Sequence, residues 1–161
     1  MKRLPLAIFI SIFVVSCGEP KTKESKADPK TFYNPNELIF VVEMDSNENK
    51  SIEDIAKFSE EYTDTIDTNE PNTLGWGFYK SGDQIVLIER YLDGAAMMQH
   101  GKNVSQGGRL EPQFLMFMEH SSMNKIDVYG NASDELKEFV KPFGLPFYFH
   151  PAYAKFSRFQ Q

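Results

Sequence analysis

The sequence predicts an α+β domain of the split β-α-β, ferredoxin-like kind, with one added helix and an aromatic C-terminal extension. Three observations carry this. Short stretches at residues 38–42, 73–80, 84–91 and 126–129 are apolar in runs or at alternate positions, the pattern of strands. Between the first and second stretches, and again between the third and fourth, apolar residues recur at helical spacing. Ser81-Gly82-Asp83 leaves room between the two middle strands for nothing but a hairpin turn. The resulting order, β-α-β-β-α-α-β, is the split β-α-β arrangement with an extra helix.

Each element has its own local reason. Leu38-Ile39-Phe40-Val41-Val42 is apolar at every position, which predicts a strand covered on both faces. Ser51 with Asp54 three residues on forms a helix start, and Ile52, Ile55, Ala56, Ser59, Tyr62 and Ile66 make a stripe that ends before Glu70-Pro71-Asn72. Asp93 caps a second helix with Ala96, Met97, His100 and Val104 on one face, stopped by Gly107-Gly108. A third stripe runs from Leu110 through Phe114, Phe117 and Met118 to Ser121, with Pro112 tolerated in its first turn. Leu136, Phe139 and Val140 mark a small helix ended by Pro142, and Phe147-Tyr148-Phe149 reads as a last edge strand. The aromatic stretch 143–159 is expected to pack over a groove of the domain.

The N-terminus has a different logic. Lys2 and Arg3 precede an apolar run over residues 4–15 that is too short to span a bilayer, and small Ser16 leads into Cys17. Val14-Val15-Ser16-Cys17 resembles the lipobox of bacterial lipoproteins, in which the chain is cut before a cysteine that carries acyl chains. Cys17 is the sole cysteine, so an intrachain disulfide is excluded and an attachment point is the better reading. The expected organisation is a lipoprotein signal peptide over 1–16, a Lys- and Pro-rich tether over 17–36, a domain over 37–130 and an extension over 131–161 that packs on it. The implied place is the bacterial cell envelope, periplasmic or outer-membrane, with the protein held on a membrane by its lipid. Net charge is −6, and two units more negative without Lys2 and Arg3, which argues against nucleic acid as a partner.

Glu70-Pro71-Asn72-Thr73-Leu74-Gly75, then Glu89-Arg90-Tyr91, Asp93, Ala95-Ala96 and His100, resemble the antibiotic-biosynthesis monooxygenase-like (ABM-like) proteins, a group of dimeric α/β barrels. The resemblance implies a ferredoxin-like protomer whose sheet packs face to face against a second copy, with a pocket between sheet and helices. Ile85-Val86-Leu87-Ile88, apolar throughout, agrees with a strand covered on both faces, and a homodimer would supply the second cover. Some members of the group oxygenate quinols or phenols with neither metal nor flavin. A haem-degrading branch has Trp where Tyr91 stands here and a ligating His near the position of Leu110; His120 lies about three helical turns further on, so no cofactor is expected.

Residues two apart on a strand share a face, so Leu87, Glu89 and Tyr91 point one way, and His100 sits within the apolar stripe of the next helix. Glu89, Tyr91 and His100 are the candidate catalytic set: His100 as base toward a phenolic proton, Glu89 orienting the imidazole, Tyr91 binding the substrate oxygen. The structural alternative is a core histidine on a backbone carbonyl, with Glu89 paired to a lysine. Trp76 and Phe78, in Leu74-Gly75-Trp76-Gly77-Phe78, are the candidate substrate contacts, against plain core or dimer packing. Met97, Met98, Met116, Met118 and Met123 scatter around the helical phase and read as packing rather than a copper site, and His100, His120 and His150 have no zinc spacing. The functional expectation is a cofactor-independent monooxygenase of a quinol or small phenol; the alternative is a ligand-binding or structural lipoprotein that keeps the fold without the chemistry. Changing Cys17→Ser should release or mis-process the protein, and mass spectrometry of membrane-extracted material showing unmodified Cys17 would contradict the anchor.

Overall fold

The computed structural model describes residues 31–160, so the leader and Cys17 lie outside the described residues. The elements in order are β1 (Thr31–Tyr33), β2 (Leu38–Ser46), α1 (Ile52–Asn69), β3 (Thr73–Ser81), β4 (Gln84–Tyr91), α2 (Gly94–Val104), α3 (Glu111–His120), β5 (Ser121–Tyr129), α4 (Asp134–Val140), a 3₁₀ turn (Lys141–Phe143), β6 (Phe147–His150) and β7 (Arg158–Gln160). Strands β3-β4-β2-β5-β6 form one sheet in that order, and β1 pairs with β7 in a separate two-stranded ribbon. The neighbours within β3-β4-β2-β5 are antiparallel, while β6 adds parallel to β5. This is the ferredoxin-like α+β arrangement, and its sheet is open rather than closed into a barrel.

Strand alternation sets the two faces. Leu38, Phe40, Val42 and Met44 of β2 are buried with Leu87 and Tyr91 of β4 and Ile126 and Val128 of β5, facing the helices. Ile39, Val41, Val86 and Ile88 occupy the opposite face and are half-buried. The second cover expected for these strands is thus incomplete within one chain. Burial of the helix face supplies the hydrophobic driving force, at about 25 cal/mol per Å² of apolar surface withdrawn from water.

Several expectations shift in detail. Helix α1 starts as predicted, with Ser51 and Asp54 closing a capping box (Asp54 N–H to Ser51 Oγ 3.1 Å, Ser51 N–H to Asp54 Oδ2 2.9 Å). Its buried residues are Phe58, Tyr62 and Ile66, while Ile52 is 63% exposed. The stripe is therefore rotated: Phe58, one turn before Tyr62, replaces Ala56 because its ring packs on Tyr62, Phe117 and the stacked imidazole of His120 at 4.4 Å. Of α3, Phe117 is the buried residue, and Leu115, Met116 and Met118 are exposed. Strand β5 begins five residues earlier than its apolar pattern suggests, since Ser121 to Lys125 gain their ladder bonds from the far end of β2 across a bulge at Glu43/Met44.

The ordered chain also reaches back past Glu37. Thr31–Tyr33 form a strand against the C-terminal β7, and buried Asn34 anchors the turn into β2, its Nδ2 donating to Leu92 O at 2.8 Å and its N–H to Ser157 O at 3.0 Å. That part of the expected tether is structured because a partner strand from the chain's other end satisfies its backbone, a pairing invisible to local composition. Among the described residues no helix is long and apolar enough to cross a membrane.

Candidate active site

Three elements converge on one buried polar cluster. Helix α1 ends at Glu70, whose N–H donates to Ile66 O at 2.8 Å, and Pro71 cannot continue the helix. The chain turns there into β3, and the Glu70 carboxylate points inward, 7% exposed as a residue. Helix α2, capped by Asp93 Oδ1 on Ala96 N–H at 2.9 Å, presents His100 and, one turn later, Asn103. His100 Nδ1 lies 2.9 Å from Glu70 Oε2, Asn103 Nδ2 donates to Glu70 Oε1 at 2.8 Å, and Thr73 Oγ1 donates to Oε2 at 3.2 Å. With Nδ1–H committed to a carboxylate, Nε2 of His100 is the nitrogen left to hold or release a proton, and no described residue bonds to it.

On β4, Glu89 and Tyr91 do share the helix face, as the alternation predicts. Tyr91 Oη donates to Glu89 Oε2 at 2.7 Å, leaving Oε1 free of any bond to the described residues. The sequence-based picture of Glu89 orienting the imidazole is corrected: Glu70 does that, while Glu89 stands near His100 as a second acid. Tyr91 is corrected too. It is 0% exposed, packs edge-on to Phe40 at 5.4 Å, and stands behind Glu89 instead of facing a ligand space.

That space is a cavity of about 460 Å³, within the usual range for small-molecule sites. Glu89, His100, Tyr62 and Trp76 line its polar end; the remaining wall is mostly apolar, from Phe40, Val42, Met97, Phe117 and Ile126 among others, with Ser105, Gln106 and Glu111 at the α2–α3 connection and the start of α3. Trp76 is therefore placed at the cavity, its ring 5.3 Å from that of His100. Phe78 is not; it joins Phe58, Tyr62 and Phe117 in an aromatic cluster beside it. The two glycines flanking Trp76 leave no free slot on the other face, because Arg90 covers Gly75 and the Tyr79 ring lies over Gly77. His120 bonds through Nδ1 to Met116 O at 2.7 Å, and among the described residues no three His, Cys, Asp or Glu are placed to share a metal ion.

The titratable groups are pushed apart. Burial would raise the carboxyl of Glu70, yet the hydrogen bond and charge of His100, with Asn103 and Thr73, bring it below the ordinary value. Burial raises Glu89, and the nearby His100 charge and the Tyr91 hydroxyl do not offset it. Burial alone would lower His100, but the Glu70 hydrogen bond and the charges of Glu89 and Glu70 raise it. Burial also lifts the Tyr91 hydroxyl far above the phenol range, reinforced by the Glu89 charge, so it stays a donor. The cluster is then an imidazolium held by an ionised carboxylate, next to a second carboxyl that resists ionisation.

No family model and no curated protein matches the chain. Among solved structures, MupZ from Pseudomonas fluorescens matches with a TM-score of 0.59 at 22% identity, over 76% of this chain and 95% of that one. A conserved protein from Methanosarcina mazei Go1 gives 0.45 at 14% identity, over 60% and 93% of the two chains. Protein SO0527 from Shewanella oneidensis gives 0.42 at 19%, over 62% and 94%. The likeness to MupZ is one of fold, the ferredoxin-like α+β arrangement.

The elevated Glu89 has a measurable consequence. Below pH 4.5, the ordinary carboxyl value, Glu89 is protonated both folded and unfolded and costs nothing. As pH rises above 4.5 the unfolded chain ionises first, so the folded state loses stability until the folded-state value is passed. Glu89→Gln, which mimics the protonated acid and still accepts from Tyr91, should be more stable than the parent at neutral pH and equal to it below pH 4.5. Denaturation midpoints across that range check this; a gain independent of pH would contradict it.

Proposed function

We propose that this is a lipid-anchored envelope protein with an ABM-like domain that acts as a cofactor-independent monooxygenase on a quinol or small phenol. The observation that carries the reading is the placement of the Glu70–His100 pair and Glu89 at one end of a mostly apolar cavity. A quinol hydroxyl at that end meets an acceptor, Glu89, and a fixed positive donor, His100 Nε2–H. Glu89 takes the hydroxyl proton, passing into the neutral form its buried site favours. The imidazolium, kept charged by Glu70, stabilises the phenolate as it forms. The electron-rich anion then reacts with dioxygen: one oxygen atom enters at a ring carbon, the other leaves as water, and the quinol becomes a hydroxyquinone. The role of base thus passes from His100 to Glu89 relative to the sequence-based expectation, because a histidine locked onto an ionised carboxylate is a better cation than base.

The half-buried Ile39, Val41, Val86 and Ile88, ringed by the Glu37–Arg90 pair at 2.7 Å and the Lys125–Asp127 pair at 2.7 Å, suit a second copy laid on the open sheet face. An apolar centre with a charged rim is the usual anatomy of an interface. Light scattering of the purified chain should report a dimer at micromolar concentration, and a monomer would rule that partner out.

The chemistry is tested by oxygen uptake with a panel of quinols. Glu89→Gln should reduce the rate about 10²- to 10⁴-fold, and His100→Ala about 10²- to 10³-fold. The rate should rise with pH as Glu89 ionises and fall as His100 loses its proton, and Glu70→Gln should move the falling limb to lower pH. No uptake above background with any quinol would favour the non-catalytic ligand-binding reading.

A further inference from the structure

The cavity is far larger than its polar end requires. An apolar cavity of about 150 Å³ is enough to take up benzene, so about 460 Å³ holds the phenolic ring and roughly twice that volume again. The surplus lies in one direction. Glu89 and His100 occupy the buried end, and the most exposed lining residues, Gln106, Leu115 and Met118, all belong to the α2–α3 connection and α3. Between them the wall is made by Val104, Phe114, Phe117, Leu145 and Phe147. Leu115 is 56% and Met118 37% exposed, so the apolar lining continues through the mouth to the surface. Methionines along the route, Met97, Met118 and Met123, are unbranched and conform to a flexible guest better than to a rigid plate.

We propose that the ligand is a single-ring phenol or quinol carrying a long apolar chain, its hydroxyl at Glu89 and His100 and its chain running past Val104 and Phe117 to leave alongside Leu115 and Met118 of α3. This rests on the proposed function for the hydroxyl end and adds the chain as the determinant of specificity. A short phenol would leave most of the wall in contact with water. Each methylene moved from water onto that wall contributes about 0.8 kcal/mol, which is about fourfold in affinity.

Trp76, the one tryptophan of the chain, reports occupancy without any reaction, since it lines the inner end. The probes are para-cresol, para-pentylphenol and para-nonylphenol, titrated against the full chain carrying Cys17→Ser so that no acyl group competes. Quenching of Trp76 should give dissociation constants that tighten at least about tenfold from the first phenol to the second. Leu115→Glu, a change at an exposed position, should flatten the series. Equal affinity across the three phenols, quenching by none of them, or a chain-length trend that Leu115→Glu leaves intact would each overturn the inference. Oxygen uptake separates the two claims: uptake with chain-independent binding removes the chain and leaves the proposed reaction, while chain-dependent binding without uptake does the reverse.

Discussion

The Glu70 carboxylate is the constraint around which the helix side of the domain is arranged. It sits at the C-terminal end of α1, where the helix carries partial negative charge and offers no basic residue of its own in the last turn. An ionised acid buried there is costly unless donors surround it. One is local, Thr73 at the start of β3, and two arrive from a distant part of the chain, His100 and Asn103 on successive turns of α2. Arg109, from the connection after α2, donates to Asn69 O and supplies the positive charge the helix end lacks. Satisfying one carboxylate thereby fixes α1, β3, α2 and the α2–α3 connection relative to one another. The same contacts aim His100 Nε2 at the cavity, so the scaffold and the chemistry share their polar contacts.

Glu70 and Glu89 sit around the same imidazole with opposite tendencies, and the difference is donor count. Glu70 receives three hydrogen bonds, one of them charge-assisted, whereas Glu89 receives one, from a neutral phenol. The first is therefore kept as the anion and the second drifts toward the acid. A single positive charge between them can compensate one carboxylate fully and the other in part. That asymmetry is what gives a site an acceptor near working pH together with a cation that does not leave.

The fold was largely legible because it depends on short-range periodicities. Alternation in residues 84–91 and the Asp93 and Ser51 caps are local facts, and they located β4, α2 and α1 within a residue or two. The site was legible in part. Glu89 and His100 could be put on converging faces, but a face does not identify a partner: Glu89 is eleven residues from His100 in sequence and Glu70 is thirty, and proximity along the chain pointed to the wrong one. Glu70 stood within the motif that suggested the ABM-like resemblance, and its position before a proline at a helix end was the available signal. Asn103 and Phe58 were missed for a related reason. Apolar stripes discount a polar residue on a buried face, and they average over the helix phase that one large ring can rotate. The strand at Thr31–Tyr33 had no local signal, since its pairing closes a loop across nearly the whole domain.

The domain carries apolar surface on two sides, and their positions are compatible. The open face of the sheet presents Ile39, Val41, Val86 and Ile88, while the cavity mouth opens on the helix side between α3 and the 3₁₀ turn, near Leu115 and Phe143. The sheet lies between them, so a second copy seated on the open face would leave the mouth free. The β1–β7 ribbon belongs with the first surface: Tyr153 and Phe156 beside it are strongly exposed, whereas Phe143, Phe147 and Phe149 of the same C-terminal stretch pack against the core. Exposed rings at the margin of a half-covered sheet gain most from being withdrawn from water, and the geometry lets that happen without closing the route by which a long-chained ligand would enter.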